Sequence, residues 1–489
     1  MIALRALSAG LGNRVWQLAS YFEYRRFRDQ THCLRPIQEQ RLTAELARLE
    51  ATVWGRRHGV SRDWTYQRFR DEVPLHSYED LLPFLQLENG LTQESVRVWE
   101  PTGGSTGGCK WVPWTRSLQG QFHGAVSAWI FDFYSRYPEA RNGRSYWQLT
   151  PAAQLEAPSW IGQERAGFES DGDYLGAVGT LLERAVLLQV DKEGSDFWLG
   201  TVRALTSCSD LRVLSCWSPS FLLVLRAKCE EFLGSWRPAR WWPKLQVVSC
   251  WTHGPASSLL ETVREFFPGV TIQGKGLLST EAVTTIPFLG TYPLAYRSHF
   301  FEFLADSGRV YPSWELDLGG AYEVLQTTGN GFVRYRSGDR VKVTGFLGQV
   351  PCLEFVGREA VSDHFGEKLS HHYLDSVLSE WVGFAGLGFE ERGYILFLEL
   401  KSHSSVESAR SFWRDVKAKL NQVYSYRDCR RLEQLSELRC FGVSGDAWEQ
   451  MLSFWGERCA REKPSKVLPP GHWSQRFQGG FLSENNWHE

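Results

Sequence analysis

The nine residues from Thr102 to Lys110 carry the strongest chemical signal in the chain. They contain four glycines, three hydroxyl side chains (Thr102, Ser105 and Thr106) and a closing lysine. Glycine lets successive backbone amides face a common centre, and the hydroxyl and ammonium groups add hydrogen-bond donors. Such a segment can enclose an anion, which makes a phosphate-binding loop the leading interpretation.

Three other interpretations of this segment compete. A glycine-rich surface turn is the plainest. A nucleoside-triphosphatase loop needs Ser or Thr directly after its lysine, whereas Trp111 follows Lys110. The run Gly-Gly-Ser-Thr-Gly matches the serine-hydrolase elbow, but that motif requires a helix directly after the serine. Residues 110–114 instead indicate a short extended segment, with the next helix opening near Thr115 or Ser117, which favours phosphate binding.

Other candidate residues follow along the chain. Glu281, in Ser279-Thr280-Glu281, can bind a magnesium ion, and Asp339 can accept hydrogen bonds from ribose hydroxyls. Arg358 stands where the pattern of predicted elements changes. Each signal has a structural alternative, because Ser-Thr-Glu can begin a helix and Ser-Gly-Asp can be a simple turn. His253 follows a predicted strand and is equally an ordinary loop histidine.

The elements that must position these residues form an α/β protein. Residues 3–59 and 118–133 have helical periodicity, and 96–99 can form a strand before the loop. Strands (146–149, 245–250, 270–273) and helices (221–232, 259–267) then alternate, which is typical of a sheet layered by helices. Successive strands follow at 300–304, 322–327, 332–335, 341–343 and 353–356, with turns at 329–331 and 337–339.

We therefore predict a large N-terminal α/β domain over residues 1–358, with an antiparallel β subdomain at about 295–358. Beyond it, a helix, a strand (394–400) and a helix (412–420) predict a small C-terminal α+β domain over 359–489. A chain of 489 residues is long enough for two or three cores.

Composition limits the possible partners and the compartment. Charged residues make up 22% and the formal net charge is -2, so no overall field recruits nucleic acid or an anionic membrane. The apolar runs are too short to span a bilayer, and the N-terminus lacks the hydrophobic region of a secretory signal. Ten cysteines without zinc-site spacing indicate reduced thiols. We expect a cytoplasmic protein with no nucleic-acid partner and no membrane span.

The order of these segments resembles the adenylate-forming enzymes. The segment from Thr102 to Lys110 resembles their first motif, Ser279-Thr280-Glu281 the second, residues 335–341 the third and Gly357-Arg358-Glu359 the hinge motif. Within that superfamily the chain is similar to the auxin-responsive Gretchen-Hagen-type acyl acid amido synthetases and their bacterial relatives. The similarity lies in residues 322–328, 332–339, 343–346, 419–424 with Arg427, and 466–469.

The resemblance implies a two-domain ligase that uses ATP and Mg2+ to convert a small carboxylic acid into an acyl adenylate, with release of pyrophosphate. An amine, usually that of an amino acid, then attacks to form an amide. The implied nucleotide-binding residues are Thr102, Gly104, Ser105, Thr106, Gly107, Lys110, Ser279, Thr280, Asp339, Arg358 and Lys466. Glu281 is implied to hold the metal, and the implied catalytic residues are Lys466, Glu281 and Ser105.

Lys466 is the candidate for the lysine carried by a mobile C-terminal domain, with Lys463 as its alternative. Leu277 occupies a place where the family often has an aromatic residue that stacks on adenine, so another side chain would do this here. The family also places acyl or nucleotide contacts near the loop of residues 251–254. Two alternatives stay open: acyl transfer to a thiol or hydroxyl, and a catalytically weakened relative that only binds, suggested by Gly103 and Gly104 in the first motif.

Overall fold

The computed structural model of the protein describes residues 2–103, 109–148, 158–161, 186–188, 197–358, 361–400, 406–447, 450–451, 466–468 and 471–482. It divides into two compact units. Met1–Pro101 and Trp111–Glu359 form the first unit, and Thr102–Lys110 and Ala360–Glu489 form the second unit. The α/β class predicted from the sequence is confirmed, whereas the mobility of a C-terminal domain over residues 359–489 stays a prediction.

Helices open the chain and a hairpin follows them. The helices are α1 (Ile2–Asp29), α2 (Leu34–Leu49), α3 (Val53–Arg57), α4 (Tyr66–Glu72) and α5 (Tyr78–Leu85). Strands β1 (Val98–Gly103) and β2 (Cys109–Trp114) pair, and α6 (Arg116–Arg136) begins directly after them. Thr115 caps α6, since its Oγ1 accepts the Leu118 amide at 3.2 Å. The extended segment and the helix start predicted from the sequence are both confirmed.

A four-stranded parallel sheet forms the middle of the first unit. Its strands lie in chain order: β3 (Arg144–Trp147), β4 (Leu211–Ser215), β5 (Val247–Cys250) and β6 (Thr271–Gly274). The connecting helices are α7 (Phe197–Thr206), α8 (Ser220–Leu233), α9 (Pro238–Trp241) and α10 (Leu260–Phe266). Side chains of α7, α8 and α10 cover one face of the sheet, and side chains of α1 and α6 cover the other. Ligands bind such sheets beyond the carboxyl ends of their strands.

A five-stranded antiparallel sheet completes the first unit. Its strands are β7 (Phe300–Leu304), β8 (Val310–Pro312), β9 (Ala321–Thr327), β10 (Tyr335–Leu347) and β11 (Val350–Arg358), and they lie in the order β11-β10-β9-β7-β8. The predicted β subdomain is therefore present, and its inner face shares a buried core with α6 and with Phe27 of α1.

Two details of that prediction were wrong. Residues 332–334 are not a strand, because Arg334 has a left-handed φ of 40° and β10 begins only at Tyr335. The turn predicted at residues 337–339 is a bulge inside β10, where the pairing with β9 shifts between Arg336 and Arg340. Gly338 provides the bulge, since its φ is 76°.

The second unit contains a mixed four-stranded sheet in the order β14-β15-β16-β17, formed by β14 (Ala385–Glu390), β15 (Gly393–Glu399), β16 (Arg439–Val443) and β17 (Gly479–Leu482). The pair β15 and β16 is parallel, and the other two pairs are antiparallel. Strands β12 (Val361–Ser362) and β13 (Leu369–Ser370) form a small ladder. The helices are α11 (His371–Leu378), α12 (Val406–Gln422) and α13 (Tyr424–Arg431).

None of the helices in the described part of the chain has both the length and the apolar character that crossing a bilayer requires.

Candidate active site

Asp339 and Arg358 form a buried ion pair at one end of the antiparallel sheet. They lie opposite each other on β10 and β11, and the Arg358 Nε donates to Asp339 Oδ1 at 2.6 Å. The Asp339 side chain is 3% exposed and that of Arg358 is 13% exposed. Two residues that the sequence places 19 positions apart are therefore joined by the sheet register. A short charge-assisted bond of this kind fixes the carboxylate in one orientation.

The bulge in β10 sets the position of Asp339. Ser337 Oγ donates to the Val324 carbonyl at 2.9 Å and accepts the Asp339 amide at 3.1 Å. Because Gly338 adopts a left-handed conformation between them, the backbone turns outward and back within the strand. The Ser337 hydroxyl thus binds the bulge to β9, and the Asp339 carboxylate pairs with Arg358.

Glu281 lies at the tip of a tight turn, not at a helix start. The Ser279 amide donates to the Ala282 carbonyl at 2.9 Å, and the Ala282 amide donates to Ser279 Oγ at 3.2 Å. A backbone bridge between Leu278 and Val283 closes the turn. Ser279 thus fixes the turn, while Thr280 and Glu281 occupy its tip. Glu281 is 9% exposed.

Tyr335 is a residue of this site that the sequence interpretation missed. Burial raises the pKa of its hydroxyl well above the usual value, the charge of Glu281 raises it further, and the charge of Arg358 opposes this. The charges of Glu281 and Arg358 thus act on a neutral phenol, which can donate a hydrogen bond, and Arg358 is itself paired with Asp339.

A buried polar network holds the Glu281 turn in place. His299 Nε2 accepts the Val283 amide at 3.1 Å, and its Nδ1 lies 2.9 Å from Gln121 Oε1. Gln121 Nε2 in turn donates to Glu45 at 2.6 Å. Burial lowers the pKa of His299 to about 3, so the ring is neutral and Nδ1 carries the proton. Along the chain, His299 is 16 residues from Val283 and 178 residues from Gln121. No local sequence pattern therefore predicts these contacts.

The same Gln121 oxygen also accepts the amide of Gly329 at 2.9 Å. The Gly329 carbonyl accepts a bond from Thr115 Oγ1 at 3.0 Å, which joins the 329–331 turn to the start of α6. A Cβ on Gly329 would lie 2.8 Å from Gln121 Oε1 and 3.0 Å from the Leu118 amide, so only glycine fits without a shift. Gln121 therefore contacts the 329–331 turn directly and supports the Glu281 turn through His299.

The glycine-rich segment connects β1 to β2, so a strand and not a helix follows it. This excludes the serine-hydrolase elbow. Thr102 is buried and Lys110 is half-buried, on the two strands of the hairpin. The predicted phosphate-binding residues Gly104, Ser105, Thr106 and Gly107 lie outside the described residues, and their roles stay predictions.

Lys466 lies in the second unit. Its Nζ donates to Ser379 Oγ at 3.0 Å, and its carbonyl accepts the Leu387 amide at 2.8 Å. Burial lowers the pKa of its ammonium group, and the charge of Asp375 opposes this. The alternative, Lys463, lies outside the described residues.

His253 follows β5, as predicted, and packs edge-on against Tyr292 with ring centroids 4.7 Å apart. Burial lowers its pKa, and the charge of Glu354 opposes this. These contacts are those of a packed loop histidine, and they give no sign of a catalytic role.

Comparison with solved structures defines the class of fold. The chain is similar to GH3.15 acyl acid amido synthetase, with a TM-score of 0.58 and 17% identity over 94% of this chain and 95% of that one. It is also similar to 2-hydroxyisobutyryl-CoA ligase in complex with 2-HIB-AMP and CoA, with a TM-score of 0.54 and 13% identity over 86% of this chain and 94% of that one. The fold is that of the adenylate-forming enzymes.

The sequence comparisons then identify the family. The GH3 family N-terminal domain matches residues 23–233 and the GH3 family central domain matches residues 292–358, which together make up more than half of the chain. The chain belongs to the GH3 family, which confirms the resemblance inferred from its motifs.

Among its relatives is indole-3-acetic acid-amido synthetase GH3.17 of Arabidopsis thaliana, 25% identical over 53% of this chain and 52% of that protein. The chain thus spans about half the length of this relative. The match to probable indole-3-acetic acid-amido synthetase GH3.4 of Oryza sativa subsp. japonica is 23% identical and covers 89% of this chain and 86% of that protein.

Proposed function

We propose that this protein is an ATP- and Mg2+-dependent acyl acid amido synthetase. It would adenylate a carboxylic acid with release of pyrophosphate and then transfer the acyl group to an amine, namely that of an amino acid. The observation that carries the proposal is the Asp339–Arg358 ion pair, together with the turn that presents Glu281, in a chain of the GH3 family. Each group matches a need of adenylate formation.

The Glu281 carboxylate suits Mg2+. This ion prefers oxygen ligands and is commonly held by one or two carboxylates together with substrate phosphates. Among the described residues, no group of three or more His, Cys, Asp or Glu side chains could hold a metal ion. A single carboxylate at the tip of a turn therefore fits an ion that arrives with ATP. When bound, the ion would neutralise charge on the phosphates during attack at the α-phosphorus.

The other residues would orient the nucleotide. We propose that the Asp339 carboxylate, held by Arg358, accepts hydrogen bonds from the ribose hydroxyls, and that Ser279 and Thr280, in the turn that carries Glu281, also contact the nucleotide. Lys466 is proposed as the lysine that the second unit contributes to adenylation. Ser105 would be a donor in the transition state. The residues that would bind the phosphates are Thr102, Gly104, Ser105, Thr106, Gly107 and Lys110.

The substrates would be a small carboxylic acid and an amine or amino acid, as the names of the relatives suggest for those proteins. We also propose a cytoplasmic location, because eight cysteines whose side chains the structure describes are free thiols, namely Cys33, Cys208, Cys216, Cys229, Cys250, Cys352, Cys429 and Cys440.

Pyrophosphate release tests the proposal. The full chain is incubated with ATP, Mg2+ and a panel of acids and amines. We expect pyrophosphate that depends on both ATP and acid, with its release by Glu281→Gln reduced by about 10²–10³-fold. Glu261→Gln, which changes a side chain that is 79% exposed, is the matched control. If no acid gives pyrophosphate and ATP does not bind, the proposal is wrong.

The acceptor is tested separately, by product mass spectrometry with an amino acid, coenzyme A or an alcohol present. A thioester or ester product, in place of an amide, would support the alternative in which the acyl group is transferred to a thiol or a hydroxyl. Calorimetry with ATP and Mg2+ on the wild type and on Asp339→Ala tests the remaining alternative. A lack of ATP binding by both proteins would indicate a binding or interaction protein.

A further inference from the structure

The carboxyl edge of the parallel sheet contains a polar row that the site described above does not use. Trp147, Ser215, Ser249 and Gln273 lie in register on β3, β4, β5 and β6. Side chains in register on parallel strands point to the same face of a sheet. The preceding row on that face includes Val213 and Val247, which pack against α6 in an apolar core. The face that α6 covers therefore changes from apolar to polar at the edge where ligands bind.

Lys275 adds a positive charge to this row. It follows β6 directly, and its amide donates to the Cys250 carbonyl at 2.9 Å, so it continues the sheet two residues beyond Gln273. Its Nζ donates to Ser215 Oγ at 2.7 Å. The same ammonium group lies 4.7 Å from the ring of Trp217 and 5.8 Å from that of Trp129 on α6. Lys275 is only 9% exposed.

Further polar atoms of this sheet edge and of the facing helix α6 lack a hydrogen-bond partner in the described part of the chain. Ser249 Oγ, Gln273 Oε1 and Trp129 Nε1 are buried and make no hydrogen bond within the described residues. Ser249 is 3% exposed. Buried polar groups are normally hydrogen-bonded, and each one that is not needs an explanation. A hydroxyl and an indole N–H near a buried ammonium group are the donors that a carboxylate accepts from.

We propose that Lys275, Ser249 and Trp129 form a carboxylate-binding subsite of the acyl pocket. This inference deepens the proposed function and rests on it for the identity of the ligand as the acid substrate. The indole of Trp217 is 37% exposed and lies 6.0 Å from that of Trp251. The body of the acid would pack against these two rings while its carboxylate reaches the ammonium group. The bound carboxylate is either the one that is adenylated or a second one on the same acid.

Binding without ATP provides the first test. Benzoate, with one carboxylate, and phthalate, with two, are titrated into the full chain by calorimetry. We expect Lys275→Met to weaken binding of at least one of them by about tenfold or more, because a charge-assisted bond is lost. Lys275→Arg keeps the charge and should retain part of the affinity. Lys244→Met, which removes an exposed lysine of the same unit, should bind as the wild type does.

Pyrophosphate release with the same acids identifies which carboxylate is bound. If Lys275→Met raises KM for both acids, Lys275 binds the carboxylate that reacts. If the variant only loses a preference of the wild type for phthalate over benzoate, Lys275 binds the second carboxylate of the acid. Wild-type affinity in a folded Lys275→Met variant would overturn the subsite, as would an absence of binding by the wild type at millimolar concentration.

The two proposals fail in different ways. Pyrophosphate release that is unaffected by Lys275→Met would refute the subsite and leave the ligase standing. Carboxylate binding that Lys275→Met abolishes, in a wild type that binds no ATP and releases no pyrophosphate with any acid of the panel, would support the subsite and refute the ligase.

Discussion

Replacement of Asp339 by asparagine tests the buried ion pair directly. The substitution keeps the shape of the side chain and removes its charge, which leaves the largely buried Arg358 guanidinium beside a neutral amide. Removal of one member of a buried pair is expected to cost about 3–5 kcal/mol. Because the Arg358 side chain is 13% exposed, we expect the lower end, about 3 kcal/mol.

A second ion pair near the same sheet provides the matched control. Arg340 on β10 donates to Asp306 at 2.7 Å, but the Asp306 side chain is 73% exposed. Such a pair contributes about 0–1 kcal/mol, so Asp306→Asn should change stability very little.

Thermal unfolding followed by circular dichroism measures the difference. A loss of about 3 kcal/mol corresponds to a fall in melting temperature of roughly 4 °C in a unit the size of the first one. Calorimetry should also show weaker ATP binding by Asp339→Asn than by Asp306→Asn, since the proposed ribose acceptor has lost its charge. If the two variants melt at the same temperature, the buried pair contributes no more to stability than the exposed pair does, and the reasoning from burial is refuted.

Three further predictions concern the residues around this pair. Glu281→Gln should reduce Mg2+-dependent pyrophosphate release by about 10²–10³-fold with no change in melting temperature, and retention of activity would exclude Glu281 as the metal ligand. His299→Asn should flatten the pH dependence of stability. Burial lowers the pKa of His299 to about 3 in the folded protein. Between pH 3 and the ordinary pKa of histidine, the unfolded chain therefore binds a proton that the folded protein does not bind. The free energy of unfolding of the wild type thus falls as the pH is lowered through this window. The His299 contribution to that slope is up to about 1.4 kcal/mol per pH unit, and equal slopes in urea titrations of the two proteins would contradict it. Gly329→Ala should destabilise the fold by about 1–3 kcal/mol because the new methyl group meets Gln121 and the Leu118 amide. The control Gly120→Ala, on α6 with nothing within 4 Å of the added carbon, should stabilise it by about 0.5–1 kcal/mol, and destabilisation by both would point to another cause.

Much of the fold was predictable because its signals are local. The amphipathic helix after Thr115, the alternation of strands and helices up to residue 274 and the run of strands from Phe300 all follow from periodicity and turn residues. The motifs around Glu281, Asp339 and Arg358 were sufficient to indicate the family, since they are short contiguous runs whose order along the chain carries the information.

The errors arose where distant contacts override local preference. Residues 332–334 have strand composition, but the Arg334 guanidinium makes two hydrogen bonds to the buried Glu302 carboxylate and others to the carbonyls of Arg70 and Val73. These contacts hold Arg334 at a φ of 40°, which no strand allows. The Ser-Gly-Asp segment has turn composition, yet pairing with β9 and β11 on either side makes it a bulge.

The sequence by itself determined the residue types of the site, the order of its motifs and the class of the fold. Only the tertiary structure decided which residues meet. The pairing of Asp339 with Arg358 follows from strand register, and the support of the Glu281 turn by His299 and Gln121 follows from packing. Lys275 likewise acquires its proposed role only because β4, β5 and β6 align their ends. Such contacts depend on burial and register between segments far apart in the chain, and no local spacing encodes them.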